Sequence, residues 1–219
     1  MIKTYSSDTR KPLYAKLENH LKSKGYENPW QKYKILTDID ENEKTSILFL
    51  GLHAGIEPVS GLILLLHKRI SNSKIFIIEY SEDVKLEDRL KSHETTEAPF
   101  IREKMADVVV SIHTMPDDWL ERKIAVGGLP KQSELKKILA EKLREAISLE
   151  VIIANGENGF KEFIVQGQRK TNPVNYAAIR EGVQIEFPYF LLKDGAHDQS
   201  IATGIIDSLL NYFHLCSHL

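Results

Sequence analysis

Cysteine is almost absent from this chain of 219 residues: Cys216 is the single one. That excludes an intramolecular disulfide and any metal site built on a cysteine cluster. Cys216 falls in the last apolar helical pattern, where a free thiol is ordinarily a buried bystander. No run approaches the ~18 apolar residues of a membrane span, and Met1-Ile-Lys-Thr-Tyr5 lacks the apolar core of a secretory signal. A protein made and folded in the cytoplasm is expected, with no membrane partner, so that any action outside the cell would follow release by lysis. Positive charge is not in excess either. Lys plus Arg number 29 and Asp plus Glu 31, for a formal net charge of −2. A protein devoted to nonspecific nucleic-acid binding is usually basic, and no nucleic-acid motif is present. There is no internal repeat, low-complexity tract or linker, so one domain spanning 1–219 with a substantial core is expected, as a monomer.

What is present is an alternation of two periodicities. Residues 10–24 place Leu13, Leu17 and Leu21 on one helical face, with Gly25 as the stop. Residues 46–51 form a buried strand. Residues 58–70, apolar on all sides and opened by Pro58, form a buried helix, and 74–80 a further strand. This strand–helix–strand succession predicts parallel pairing. The reading continues with a short helix over 98–106, strands at 107–112 and 123–126, and a Gly127-Gly128 turn. A helix over 133–147 is capped by Ser133, and a strand follows at 149–154. Residues 155–172 form a long loop with a strand at 162–165, 173–180 a short helix, 182–187 a strand and 198–215 a closing helix. The fold class is α/β, a three-layer α/β/α sandwich with a mainly parallel mixed sheet.

Ligands of open α/β sheets sit at the carboxyl ends of the strands. Three apolar strands end there in an ionisable residue: His53 after Ser46–Gly51, His113 after Val108–Ile112, and Glu186 after Gly182–Ile185. Glu57 lies one small-residue turn beyond His53. Two imidazoles and a carboxylate suit a zinc ion with an open position for water. A nearby carboxylate outside the ligand set can take the proton of that water and pass it to a leaving amine. The plainer alternatives are also open. A strand-end histidine is commonly a hydrogen-bonded structural residue, Glu57 could serve as a favourable charge at a helix N-terminus, and Glu186 could pair with Arg180. Arg180 could equally stabilise an oxyanion. Asn172 and Asn175 could orient a substrate or build turns, Arg169 and Lys170 could attract a polyanion, and His93 could lie at the rim.

The ordered elements resemble one family. His53-Ala-Gly-Ile-Glu57-Pro58 resembles the His-Gly-Gly-Gly-Ile-Glu-Pro signature of the phage-type poly-γ-glutamate hydrolases. Ser111-Ile-His113 is similar to that family's Ser-Ile-His-Gly, and Ile124–Leu129 to its Val-Gly-Gly-Leu turn. Asn172-Pro-Val-Asn175 resembles its Asn-Ile-x-Asn-Arg element, and Gly182–Glu186 its Gly-Val-Gln-Leu-Glu. Ser92–Pro99 is a looser echo of a Thr-Ser-His…Asp-Glu-Pro loop. The resemblance runs in family order from about residue 46 to 188.

It implies a carboxypeptidase-like fold with an eight-stranded mixed sheet, one zinc ion held by His53, Glu57 and His113, and Glu186 as general base. It further implies hydrolysis of amide bonds in an anionic, glutamate-like polymer. Two rivals are an N-acyl amino acid as substrate on the same site, and a catalytically silent binding protein. Arg180 is assigned a catalytic role, and Asn172, Asn175 and Tyr176 substrate binding. The chain departs from the pattern in three places: the first turn is one glycine shorter, Tyr176 stands where the family has Arg, and Thr114 follows His113 in place of Gly.

Overall fold

The computed structural model describes residues 2–5, 12–39, 44–95, 101–131, 133–154 and 167–217. Eight strands form one mixed sheet: β1 (Lys3–Tyr5), β2 (Tyr33–Thr37), β3 (Thr45–Ala54), β4 (Ser73–Tyr80), β5 (Ala106–Met115), β6 (Ile124–Gly127), β7 (Val151–Ile153) and β8 (Ala178–Pro188). Their spatial order is β1-β2-β4-β3-β5-β8-β6-β7. The centre is parallel, β4 with β3, β3 with β5 and β5 with β8. β1 and β2 extend one side antiparallel, and β6 joins β8 antiparallel on the other, with β7 parallel to it.

The helices are α1 (Pro12–Ser23), α2 (Ser60–Arg69), α3 (Glu134–Ile147), the one-turn α4 (Pro173–Tyr176) and α5 (Tyr189–Leu192), and α6 (Asp198–Cys216). α1 covers one face of the sheet, with Leu13, Leu17 and Leu21 packed on Leu48, Leu50 and Ile78. α2, α3 and α6 cover the other, on Phe49, Ile77, Val110 and Ile185. The three-layer α/β/α sandwich expected from the alternating periodicities is the fold. Ser133 caps α3 by accepting from the Lys136 N–H.

Two expectations are corrected: the helix over 173–180 stops at Tyr176 because β8 begins at Ala178, and the helix over 98–106 is not found where the chain is described. Residues 101–105 form no helix. Their backbone is tied to α4 instead, since Lys104 and Met105 N–H donate to the Tyr176 and Ala177 carbonyls, and local propensity yields to that pairing. Strands β1 and β2 carry too little alternation to stand out in the sequence, being edge additions. The strand expected at 162–165 and most of its loop lie outside the described residues.

One irregularity of β3 sets up everything that follows. Gly51 pairs with Ile77 and Ala54 with Glu79, so three steps on β3 match two on β4. The extra residue is a β-bulge. Alternation holds up to Leu52, with Leu48, Leu50 and Leu52 toward α1 and Ile47 and Phe49 toward α2. A regular strand would send residue 53 toward α2 as well. The bulge keeps His53 on the α1 side, while Ala54 resumes packing on the α2 side.

Candidate metal centre

His53, Glu57 and His113 are buried, and one ligand atom from each lies within 4.8 Å of the others. The turn that delivers Glu57 closes with its N–H donating to the His53 carbonyl at 2.9 Å. Gly55 makes the turn possible. Its φ is +87°, and a Cβ there would stand 1.9 Å from the Tyr80 carbonyl oxygen, so a side chain is excluded both by conformation and by space. The turn, one glycine shorter than the family signature, still brings the carboxylate back to the imidazole.

Glu57 spans the two rings. Its Oε1 is 3.1 Å from His53 Nδ1, its Oε2 is 3.3 Å from His113 Nδ1, and the Thr114 N–H donates to Oε2 at 3.1 Å. The far nitrogens are held from behind. His53 Nε2 is 3.1 Å from the Leu90 carbonyl, and His113 Nε2 is 2.9 Å from Ser111 Oγ. These are the outer contacts that orient metal-binding histidines.

Electrostatics sharpen the picture. Burial lowers the His53 pKa to about 4, overcoming the attraction of Glu57, so the ring is neutral at pH 7 and carries one N–H. Its Nδ1 faces the Glu57 carboxylate, which can only accept, and its Nε2 faces the Leu90 carbonyl and, at 3.5 Å, the Ser92 hydroxyl. The Leu90 carbonyl at 3.1 Å is the nearer partner of Nε2, and a proton there leaves the Nδ1 lone pair set against the carboxylate. That arrangement could hold a cation between Nδ1 and Glu57. Burial alone would raise the Glu57 carboxyl, but the two imidazoles hold it far below the usual carboxylate range. Burial also opposes protonation of His113, yet Glu57 and then Glu186 raise its pKa. The donor set fits a divalent ion of zinc's preferences.

Glu186 lies opposite His113 in the β5–β8 register, on the same face of the sheet. It is buried, and its pKa is pushed up to about 7, chiefly by burial and against the pull of His113. A chain of hydrogen bonds fixes it. Gln184 Nε2 donates to Glu186 Oε1 at 2.7 Å, and Asn172 Nδ2 donates to Gln184 Oε1 at 3.0 Å. Asn172 also caps α4 by accepting from the Val174 N–H. It thus supports the carboxylate from behind, a different place from the substrate contact expected.

The other assigned residues are not brought to the cluster. Arg180 sits at the amino end of β8, half exposed, 3.9 Å from Asp107. The strand places it six residues from Glu186, roughly 20 Å along an extended chain, so neither the catalytic role nor the ion pair with Glu186 is realised. Asn175 spends its side chain on backbone, accepting from the Leu129 N–H and donating to the Gly167 and Arg169 carbonyls. Tyr176 packs against the α1-side core. Arg169 and Lys170 are exposed, and the His93 side chain lies outside the described residues. The cation near the cluster is Arg89, whose Nη2 is 3.9 Å from Glu57 Oε1. Its loop carries no periodic signal in the sequence. Ser111 and Gln184 had one, since each lies two residues before a functional side chain on the same strand face.

A cleft of about 970 Å³ adjoins the cluster, meeting it at Gly55, Glu57 and Pro58. It runs over the carboxyl end of β4 and the amino end of β2 to Trp30.

The fold recurs in solved structures. The chain is similar to a bacteriophage poly-gamma-glutamate hydrolase, with a TM-score of 0.67 and 18% identity over 84% of this chain and 91% of that one. A zinc-free structure of YNDL matches with a TM-score of 0.60 and 17% identity over 87% and 95%. A putative carboxypeptidase from Burkholderia mallei matches with 0.54 and 13% over 84% and 60%. At these identities the likeness is one of fold. No family model matches the chain, and no curated protein matches it. No helix among the described residues is long and apolar enough to cross a membrane.

Proposed function

We propose that this protein is a zinc-dependent amidohydrolase in which His53 Nδ1, His113 Nδ1 and the Glu57 carboxylate hold one ion. The observation that carries the reading is the convergence of two buried imidazole Nδ1 atoms on one shared carboxylate, with His53 Nδ1 set against Glu57 Oε1 and His113 Nδ1 against Oε2. When bound, zinc supplies Lewis acidity toward a substrate carbonyl and acidifies water. Glu186 supplies the base. Its pKa of about 7 lets it take a proton from the attacking water and return it to the departing nitrogen at neutral pH. Gln184 holds the carboxylate in place through both steps, and burial around the cluster limits competing water. A γ-glutamyl amide is the substrate class to test first, because the fold is shared with a poly-gamma-glutamate hydrolase. Arg89, beside Glu57, is the side chain placed to meet negative charge on the reacting carbonyl.

The test is Glu186→Gln. Zinc content by elemental analysis is expected to stay at one per chain, while hydrolysis of γ-glutamyl amides drops by about 10²–10⁴-fold. Turnover retained in that variant would remove Glu186 from the role.

A further inference from the structure

The cleft beside the cluster differs in charge from what an anionic polymer requires. Glu79 lines it and is met by Lys34, whose Nζ is 3.1 Å from Glu79 Oε2. Glu82 and Asp198 also line it, and neither has an ion-pair partner among the described residues. Asp198 Oδ1 is shielded from bulk water with no hydrogen-bond partner, and so is Ser60 Oγ, another lining residue. Burial and the neighbouring Asp194 raise the Asp198 pKa, against the pull of His197. Trp30 stands at the far end, 45% exposed, where an indole face favours a cation. The volume is that of a small-molecule or side-chain subsite.

Resting on the hydrolase reading above, we infer that this cleft receives a positively charged part of the substrate, an ammonium-bearing residue next to the scissile amide. Glu82 and Asp198 supply the counter-charge and Trp30 the aromatic wall. A run of glutamates entering the same cleft would meet like charge at Glu82 and Asp198, with Lys34 already engaged. The substrate is then a γ-glutamyl or related acyl amide flanked by a basic residue, rather than a glutamate homopolymer.

Binding tests this without catalysis. In a Trp119→Phe background, Trp30 is the only tryptophan, and its fluorescence follows titration with tetralysine or tetraglutamate at low salt. Tetralysine is expected to bind about tenfold more tightly, and Glu82→Gln and Asp198→Asn each to weaken it roughly two- to fivefold. Asp198 opens α6, so if that variant does not fold, Glu82→Gln decides alone from its exposed position. Tetraglutamate binding as tightly, or tetralysine binding unchanged in the variants, overturns the inference. Zinc-loaded enzyme is then given γ-glutamyl-lysine and γ-glutamyl-glutamate. Cleavage that favours the glutamate dipeptide sinks the cleft assignment and leaves the hydrolase standing. Cleavage of neither, with tetralysine bound as expected, sinks the hydrolase and leaves the cleft assignment standing.

Discussion

The two ends of β8 carry similar residues in different company. At the amino end, Glu181 is buried with Oε2 unpartnered, and burial raises its pKa. Nearby Lys136 is fully buried, donates to the Pro130 carbonyl, and has its pKa brought down to about 8 by burial. At the carboxyl end, burial raises the Glu186 pKa too, but Glu186 faces His113, and His113 faces Glu57 and His53. A shifted pKa therefore does not mark a site by itself. At the amino end one cation and one carboxyl offset each other. At the carboxyl end four ionisable groups from three strands and a turn converge, with more acceptors than protons, and that is a place for a metal.

Replacing ligands is the strongest way to break the contrast. His113→Ala is expected to lower zinc from one ion per chain to about none, whereas Lys136→Met, at the other end, leaves it at one. Elemental analysis after gel filtration reads both, and equal loss in the two would erase the distinction. Next comes the pH dependence of stability in chelated, metal-free protein. The folded Glu186 carboxyl titrates at about 7 rather than its ordinary 4.5. Between those values the native chain holds a proton that the unfolded chain has released, so this group makes stability fall as pH rises from about 4.5 to about 7. Glu186→Gln lacks that slope and is expected to be more stable than its parent at pH 8 by on the order of 3 kcal/mol, with little difference at pH 4. Parallel denaturant curves at both pH values would contradict the assignment.

Ser111→Ala is a subtler change, removing the contact behind His113. It is expected to weaken zinc affinity by about 10–100-fold, measured by competition with a chelating dye. Arg180→Ala should do least. An exposed ion pair is worth about 0–1 kcal/mol, so hydrolysis within twofold of the parent and a barely altered melting temperature are expected. A large loss of rate would return Arg180 to the catalytic set.

Much of this was written in the strands. A run of apolar residues closed by His or Glu places the charge at a carboxyl edge, and period-2 spacing puts Ser111 with His113 and Gln184 with Glu186 on one face. The helix stripe Leu13, Leu17, Leu21 likewise gives a buried face directly. Three things were not legible. Arg89 reaches the cluster from a loop between β4 and β5, and no local pattern tells which loop residue folds back. Asn175 matches the family pattern and Tyr176 occupies the position of its Arg, yet the chain runs antiparallel along β8 there and carries both away from the cluster. The parity of His53 depends on pairing between β3 and β4, a nonlocal property that strict alternation would have reported the wrong way.

That bulge gives the protein an unusual kind of vulnerability. Pair β3 regularly with β4 through this stretch, keeping every residue and every donor atom, and the strand falls back into strict alternation. The first imidazole would then swing through the sheet into the hydrocarbon beneath α2, stranding its partners on the opposite side. Changes that favour regular pairing here should be as damaging as loss of a ligand itself, because the centre is specified by strand parity as much as by chemistry.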